Sequence, residues 1–549
     1  MSSRRLRHSL LYLLMLSFVL CVHWISTSSQ VGEQISRTVW GLNFHYYSRL
    51  MAQLSGLSQR SIEREAVDIL KPLMTEIPQA SHASGLYTGS VRVTVQSALP
   101  DTIVRFTLDG SVPSSRSPVF GESLLIDKTT ILRARAYQRD KLPSRTLTAS
   151  FILRAPPGVP VVSLVLDPVF LHDKHSGIYA HPKSKGRGWE RPVEFAIMNG
   201  AGELLESEAR LRIHGNTSRS AVLKSLRIYL TREEAALKNW FGLESDRIAD
   251  SQSEWVLKRS ANSRQIYSDR VASRIAKQMG LAVGPRLVCL LYVNGKFWSA
   301  YDLSERINPA FASGKASGTS FSHLHGSALM YPVRKRYDIG GWKKLYDFIV
   351  EKDLQRDGNF AAVEDQIDIG SLIDYFVLSI FLADGDRPQG NIDMFKGSEV
   401  GSRWFFGIWD FDGGVNYMGS YIDHDTLAWH LRPGVTRQLK LYGVEDDDQI
   451  ASSTHLLRAL MTNDGFRVRF VSRFDELLST VFDEKNLISI FEGVLKDYAA
   501  VVPIEREPFD ANEVWGGPIT YEARIQEIRD FLTQRTAVVR DQLEARFGH

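Results

Sequence analysis

Cysteine is nearly absent: the 549 residues hold only Cys21 and Cys289. No disulfide framework can carry the fold, so stability has to come from an apolar core. A strong excess of one charge is also missing. Lys and Arg number 66 and Asp and Glu 63, which leaves +3, so no bulk field points to nucleic acid as a partner. Neither a G-x-S-x-G elbow nor a G-x-G-x-x-G fingerprint occurs, which removes two common signatures of hydrolases and dinucleotide-binding enzymes. Internal repeats and low-complexity tracts are lacking as well. At roughly 100–200 residues per domain, the length predicts about three domains, or one large unit with an accessory module.

What is present divides the chain. Arg4, Arg5 and Arg7 precede an apolar run, Leu10–Ile25, broken only by Ser17 and His23. A basic flank before such a run predicts an export signal over residues 1–30, cleaved or kept as a membrane anchor, with the remainder outside the cytoplasm. Helix-period apolar positions predict a helical segment over 31–80. From Ser84 the period drops to two in "VRVTVQS", "TIVRFTL", "TILRARAYQ" and "LTASFIL", with turn formers between. This predicts a small β-sandwich over 84–154. "APPGVP" (155–160) reads as a stiff linker. Strand-like runs continue to about residue 310, and helix-period runs dominate from Leu372. Residues 158–545 are therefore expected to be an α+β, two-lobed unit with a strand-rich N-lobe and a helical C-lobe.

Acids gather at the junction, in "LADGDRPQGNIDMFKGSEVGSRWFFGIWDFDGG" (382–414). "NIDMFK" and "WFFGIWDFD" read as strands of a hairpin that brings Asn391 and Asp410 to one end, beside the loop carrying Asp386. An Asp, an Asn five positions on, and an Asp after a short hairpin is a layout used in phosphoryl transfer, and the same residue types alone also suit an acidic turn or a Ca²⁺ site. One carboxylate orients the attacking hydroxyl, and the Asn oxygen and second carboxylate hold Mg²⁺ on the nucleotide phosphates. Asp412, two residues beyond Asp410, shares its face in a strand and offers a second metal ligand. Asp384 and Asp393 read as loop and strand polarity. His323 and His325, in "SHLHG", read as ordinary loop histidines, because H-x-H has no further ligand nearby in sequence.

Two resemblances attach to these stretches. "SGLYTGSVRVTVQSALPDTIVRFTLDGSVPSS" resembles the C-terminal β domain of chitobiase and hexosaminidase-type enzymes through its "FTLDGSVP" turn, Phe106–Pro113. That implies a fold, serving as a spacer or as a contact to carbohydrate or cell wall. From about 160 to 540, "RLRIHGNTSRSAVLKSLRIYL", "YVNGKFWSAYDLSERI", "DYFVLSIFLADGDRPQGN" and "WFFGIWDFDGG" resemble, in order, the CotH family of atypical protein-kinase-like enzymes. The resemblance implies that Asp386 is the catalytic Asp, that Asn391 and Asp410 bind Mg²⁺, and that Asp412 is a further ligand. Asp384 stands where the family often has Asn, and Phe297 and Ser299 stand where Tyr and Gly are usual.

For the nucleotide, Lys224 is the expected phosphate contact, with Lys258 as its rival. Gly215, Asn216 and Ser218 offer loop N–H groups, and Arg270 and Glu305 are secondary candidates. The expectation is an exported protein kinase that uses ATP and Mg²⁺ (or Mn²⁺) on Ser or Thr of a protein substrate. The alternative is a catalytically dead kinase fold that binds surface polymer or partner proteins.

Overall fold

The computed structural model describes residues 72 and 74–548, without 140, 231–236, 238–239, 241–253, 260–266, 314–319, 327–337, 389, 417–420, 433–446 and 505–518. The expected export signal and residues 31–71 of the expected helical segment lie outside the described residues. The end of that segment departs from expectation: Gln79–Ala80 is a strand. Among the described residues, no helix is long and apolar enough to cross a membrane.

Eight short strands form the first body: β1 (Gln79–Ala80), β2 (Gly85–Tyr87), β3 (Val91–Val93), β4 (Val95–Gln96), β5 (Thr102–Thr107), β6 (Leu124–Ile126), β7 (Thr130–Gln138) and β8 (Leu147–Leu153). The main sheet runs β2-β8-β7-β5, with β1-β4 and β3-β6 as separate pairs. Their inward residues, Val93, Val104, Ile126, Leu132 and Phe151 among them, make one core. "APPGVP" is packed rather than merely extended. Val159 is buried in an apolar seam with Ile152 of β8, Met198, Leu290 and Val501.

Seven strands then close a barrel: β9 (Val161–Val165), β10 (Arg191–Met198), β11 (Leu204–Ile213), β12 (Leu226–Leu230), β13 (Glu254–Lys258), β15 (Arg286–Val293) and β16 (Lys296–Glu305). The order is β10-β11-β12-β13-β16-β15-β9. Alternation in β11 sends Leu205, Ala209, Leu211 and Ile213 into the barrel core. Asn294 and Gly295 both take positive φ and join β15 to β16, as the Asn-Gly pair predicts.

A second sheet, β14-β19-β18-β17, combines β14 (Ala282–Val283), β17 (Phe321–Gly326), β18 (Ile392–Gly397) and β19 (Phe405–Ile408). It packs with helices α1 (Ser268–Gln278), α2 (Trp342–Glu351), α3 (Asp357–Glu364), α4 (Ile369–Phe381), α5 (Thr426–Leu431), α6 (Asp447–Leu460), α7 (Asp464–Leu478), α8 (Glu484–Tyr498) and α9 (Tyr521–Phe547) around the largest core. Helix α4 is buried along most of its length, and its start is capped by Asp368, which accepts from the Ser371 N–H. It delivers the chain at Leu382 into the acidic loop. The whole is a mixture of helices and strands.

Candidate active site

The expected hairpin exists. β18 and β19 run antiparallel with Asp393 opposite Gly407, so Asn391 and Asp410 leave it at the same end. Phe406, Ile408 and Phe411 are buried in the same core as α4 and hold that end, while Trp404 is buried at the other end of the hairpin. Gly413 and Gly414 let the returning chain lie on the acidic loop. A Cβ on Gly413 would sit 2.8 Å from Asp384 Oδ1 and 3.1 Å from Asp386 Oδ2, and one on Gly414 would sit 2.6 Å from the Leu382 carbonyl oxygen.

Asn391 donates from Nδ2 to Asp386 Oδ2 at 3.4 Å. Asn391 and Asp410 both have positive φ, +51° and +60°, a conformation that Asn and Asp tolerate at a cost. The residue that holds it is Arg387, which sequence reasoning passed over. Arg387 is fully buried and pairs with fully buried Asp384. Its guanidinium donates to the carbonyls of Trp409 at 2.6 Å, Asn391 at 3.2 Å and Asp410 at 3.3 Å, and to Tyr375 Oη at 3.1 Å. It also lies 3.4 Å from the centroid of the Phe411 ring. Asp384 is thus the counterion of an internal clamp, not loop polarity.

The cation that faces the acids is Lys258, at the end of β13. Its Nζ lies 2.5 Å from Asp410 Oδ1, 2.8 Å from Asp269 Oδ2 and 3.7 Å from Asp412 Oδ2. Asp269 is a second residue the sequence did not disclose. It sits in the first turn of α1, accepts the Phe411 N–H at 2.8 Å and pairs with Arg286. Lys224 is elsewhere. Its Nζ donates to the carbonyls of Arg219 at 3.0 Å and Ala221 at 2.6 Å, and it lies over the Tyr179 ring. The structure ties it to its own loop.

The other expected contacts separate in the same way. Gly215 has a positive φ and lies against Ser218 Oγ, Asn216 accepts from Lys185 at 3.2 Å, and Arg219 braces this loop through the Gly215 and Ile213 carbonyls. The loop adjoins the acids, because neighbouring His214 meets the Trp409 ring edge-on at 5.9 Å. Arg270 is instead buried in ion pairs with Asp302 and Asp497 that join α1 to β16 and α8. Glu305 is buried at the end of β16, opposite Trp255.

The electrostatics follow from crowding. Burial alone would raise Asp269, but Arg286 and Lys258 hold it well below the usual carboxylate range. Burial would likewise lower Lys258, but Asp269, Asp410 and Asp412 keep it firmly charged. Burial and the Asp410 charge push Asp412 well up. Desolvation, then Asp384 and Asp410, push Asp386 up to about 6, although its side chain opens to solvent. Hard oxygen donors from Asn391, Asp410 and Asp412, with the Asp412 carboxyl pushed up by burial and the Asp410 charge beside it, fit a divalent cation that would relieve the repulsion.

Residues 82–148 match the chitobiase/beta-hexosaminidase C-terminal domain model. No curated protein matches. The chain is similar to the crystal structure of a Helicobacter pylori proinflammatory kinase, CtkA, at 12% identity and a TM-score of 0.28, over 58% of this chain and 93% of that one. Residues 211–539, more than half of the chain, match the CotH kinase protein model, so the chain belongs to the CotH kinase family and is a kinase-like protein.

Proposed function

We propose that this chain is an exported, ATP-dependent protein kinase that transfers the γ-phosphoryl group to a Ser or Thr hydroxyl. The barrel serves as the N-lobe and the helical part as the C-lobe, with the nucleotide between them. The observation that carries the reading is the convergence of Asp386, Asn391, Asp410 and Asp412 with a buried lysine, Lys258, on one end of one hairpin.

Each residue has a defined task. Asp386, the acid most open to solvent in the cluster, accepts the proton of the attacking hydroxyl and orients it. Lys258 is the point charge for the nucleotide phosphates. The Gly215–Ser218 loop, next to the hairpin end, offers backbone N–H groups to the same phosphates. Asn391, Asp410 and Asp412 would hold Mg²⁺ or Mn²⁺, which supplies charge neutralisation for the transferred group. Arg387 touches none of the reactants and keeps Asn391 and Asp410 in their strained backbone positions. Residues 1–30 supply the export signal or anchor, and the β body over 84–154 acts as a spacer or contacts carbohydrate outside the cell.

The test is incorporation of label from [γ-³²P]ATP with Mg²⁺ into the full chain and into protein acceptors. Asp386→Asn is expected to reduce transfer by about 10²–10⁴-fold while Mg·ATP still binds in a calorimeter. Equal transfer by wild type and variant would refute the role of Asp386. Absence of both transfer and Mg·ATP binding in the wild type would leave a binding protein built on a kinase fold.

A further inference from the structure

His323 and His325 stand on β17, and Asp393 stands on β18. In sequence they are about seventy residues apart, yet the register places His325 directly opposite Asp393 and His323 opposite Phe395. Residues two apart on a strand share a face, so both imidazoles and the carboxylate project from the same side of the ribbon. His323 Nε2 lies 2.6 Å from Asp393 Oδ1, and His325 Nδ1 lies 2.8 Å from the same oxygen. The donor atoms of the three residues all fall within 4.8 Å of one another. The expectation of unassisted loop histidines is thereby corrected: the third ligand is supplied by the neighbouring strand.

A second observation points to a ligand. Asp393 is 1% exposed, and its other oxygen, Oδ2, is buried with no hydrogen-bond partner among the described residues. A carboxylate that served only as acceptor for two histidines could take one on each oxygen. Here both histidines share one oxygen and the other is buried without a partner among the described residues, an arrangement that costs free energy unless a ligand such as a cation is bound. His323 is held in place by stacking on Phe395 at 4.5 Å, so one ring is pre-oriented. The His325 side chain is 52% exposed, which leaves a route in for an ion and room for water in the remaining coordination positions.

We infer that His323, His325 and Asp393 form a binding site for a divalent transition-metal ion, Zn²⁺ best fitting the ligand set, that pins β17 to β18. Two imidazoles and a carboxylate with open positions suit borderline metals and not Mg²⁺, which prefers an all-oxygen shell. Metal–ligand bonds of about 2.0–2.2 Å set tetrahedral ligand atoms about 3.3–3.6 Å apart, so the two nitrogens would have to draw back from Asp393 Oδ1 by about half an ångström to one ångström from their present 2.6 and 2.8 Å. Its three residues are distinct from those assigned around Asp386, although Asp393 follows Asn391 by two positions, and its existence does not depend on the activity proposed there.

The experiment uses the full chain without a polyhistidine tag, stripped with chelator and titrated with Zn²⁺ against a chromophoric competitor. Wild type and Asp410→Asn are both expected to take up one tightly held Zn²⁺. His323→Gln/His325→Gln is expected to weaken that binding at least a hundredfold, with Mg·ATP binding unchanged. If the double variant fails to fold, the half-exposed His325→Gln alone carries the test, with at least a tenfold loss. Co²⁺ added to the wild type should give a visible d–d band that the variant lacks. Equal Zn²⁺ uptake by wild type and histidine variant, or none by wild type at micromolar metal, would overturn the inference.

Discussion

Lys258 and Lys224 both belong to the strand-rich part of the chain, and only one of them meets the acids. Lys258 contacts Asp269, Asp410 and Asp412, whereas Lys224 caps carbonyls of its own loop. Lys258→Met is therefore expected to weaken nucleotide binding and reduce phosphoryl transfer by about a hundredfold or more. Lys224→Met should leave nucleotide affinity within about twofold, since no phosphate contact is removed. Calorimetric titration of both variants with Mg·ATP checks the pair, and the opposite ranking would return the phosphate role to Lys224. The sequence favoured Lys224, with Lys258 as its rival, and the contacts rank them the other way. That ranking depends on barrel closure, which sets β13 beside β16 and turns the end of β13 toward the hairpin. Asp386, Asn391 and Asp410 were legible because a loop and one hairpin, all within about thirty residues, bring them together. Arg387, Asp269 and the partnership of Asp393 with two histidines were not, because each is defined by contacts that only tertiary packing creates.

At the scale of an element, α5 shows how a short helix can make the molecule pH-sensitive. His430 is fully buried; its Nδ1 bonds the Thr426 carbonyl at 2.8 Å and its Nε2 has no partner among the described residues. Burial depresses its pKa from 6.5 to about 4. As the pH falls, the unfolded chain takes up this proton first. The contribution of neutral His430 is thus complete above about pH 6.5 and is lost progressively down to about pH 4, at most roughly 3 kcal/mol. His430→Phe should flatten that part of the profile. Denaturant midpoints of the two proteins at pH 7 and pH 4.5 provide the check, and parallel losses would show that His430 is not the source. Other elements were read from periodicity. The β-hairpin at "NIDMFK…WFFGI" and the helix-rich stretch beyond Leu372 appear where the pattern put them. Near residue 80 the helical expectation failed because Gln79–Ala80 pairs with Val95–Gln96, and such pairing overrides local propensity.

At the scale of the molecule, the β body and the barrel share a seam. Val159 from the connecting segment, Ile152 from β8 and Val501 from beyond α8 are buried in it together, and Ser150 bonds Ser163 across it at 2.9 Å. Val159→Asp would put a charge there without touching either sheet. Limited proteolysis of the full chain should then cut within 155–160 at least tenfold faster, releasing two protease-resistant pieces. An unchanged cleavage rate would mean the seam does not hold the bodies together. A further contact reinforces it: Gly110, in the turn of the β body, leaves no room for a side chain because the Asn294 amide at the barrel hairpin occupies that space, 2.4 Å from where a Cβ would be. Two bodies docked in this way do not behave as a tethered pair, whose local concentration depends on linker length. On the proposed kinase reading, anything gripped by the first body would be offered to the second at one set reach, so acceptors would be selected by span as well as by sequence.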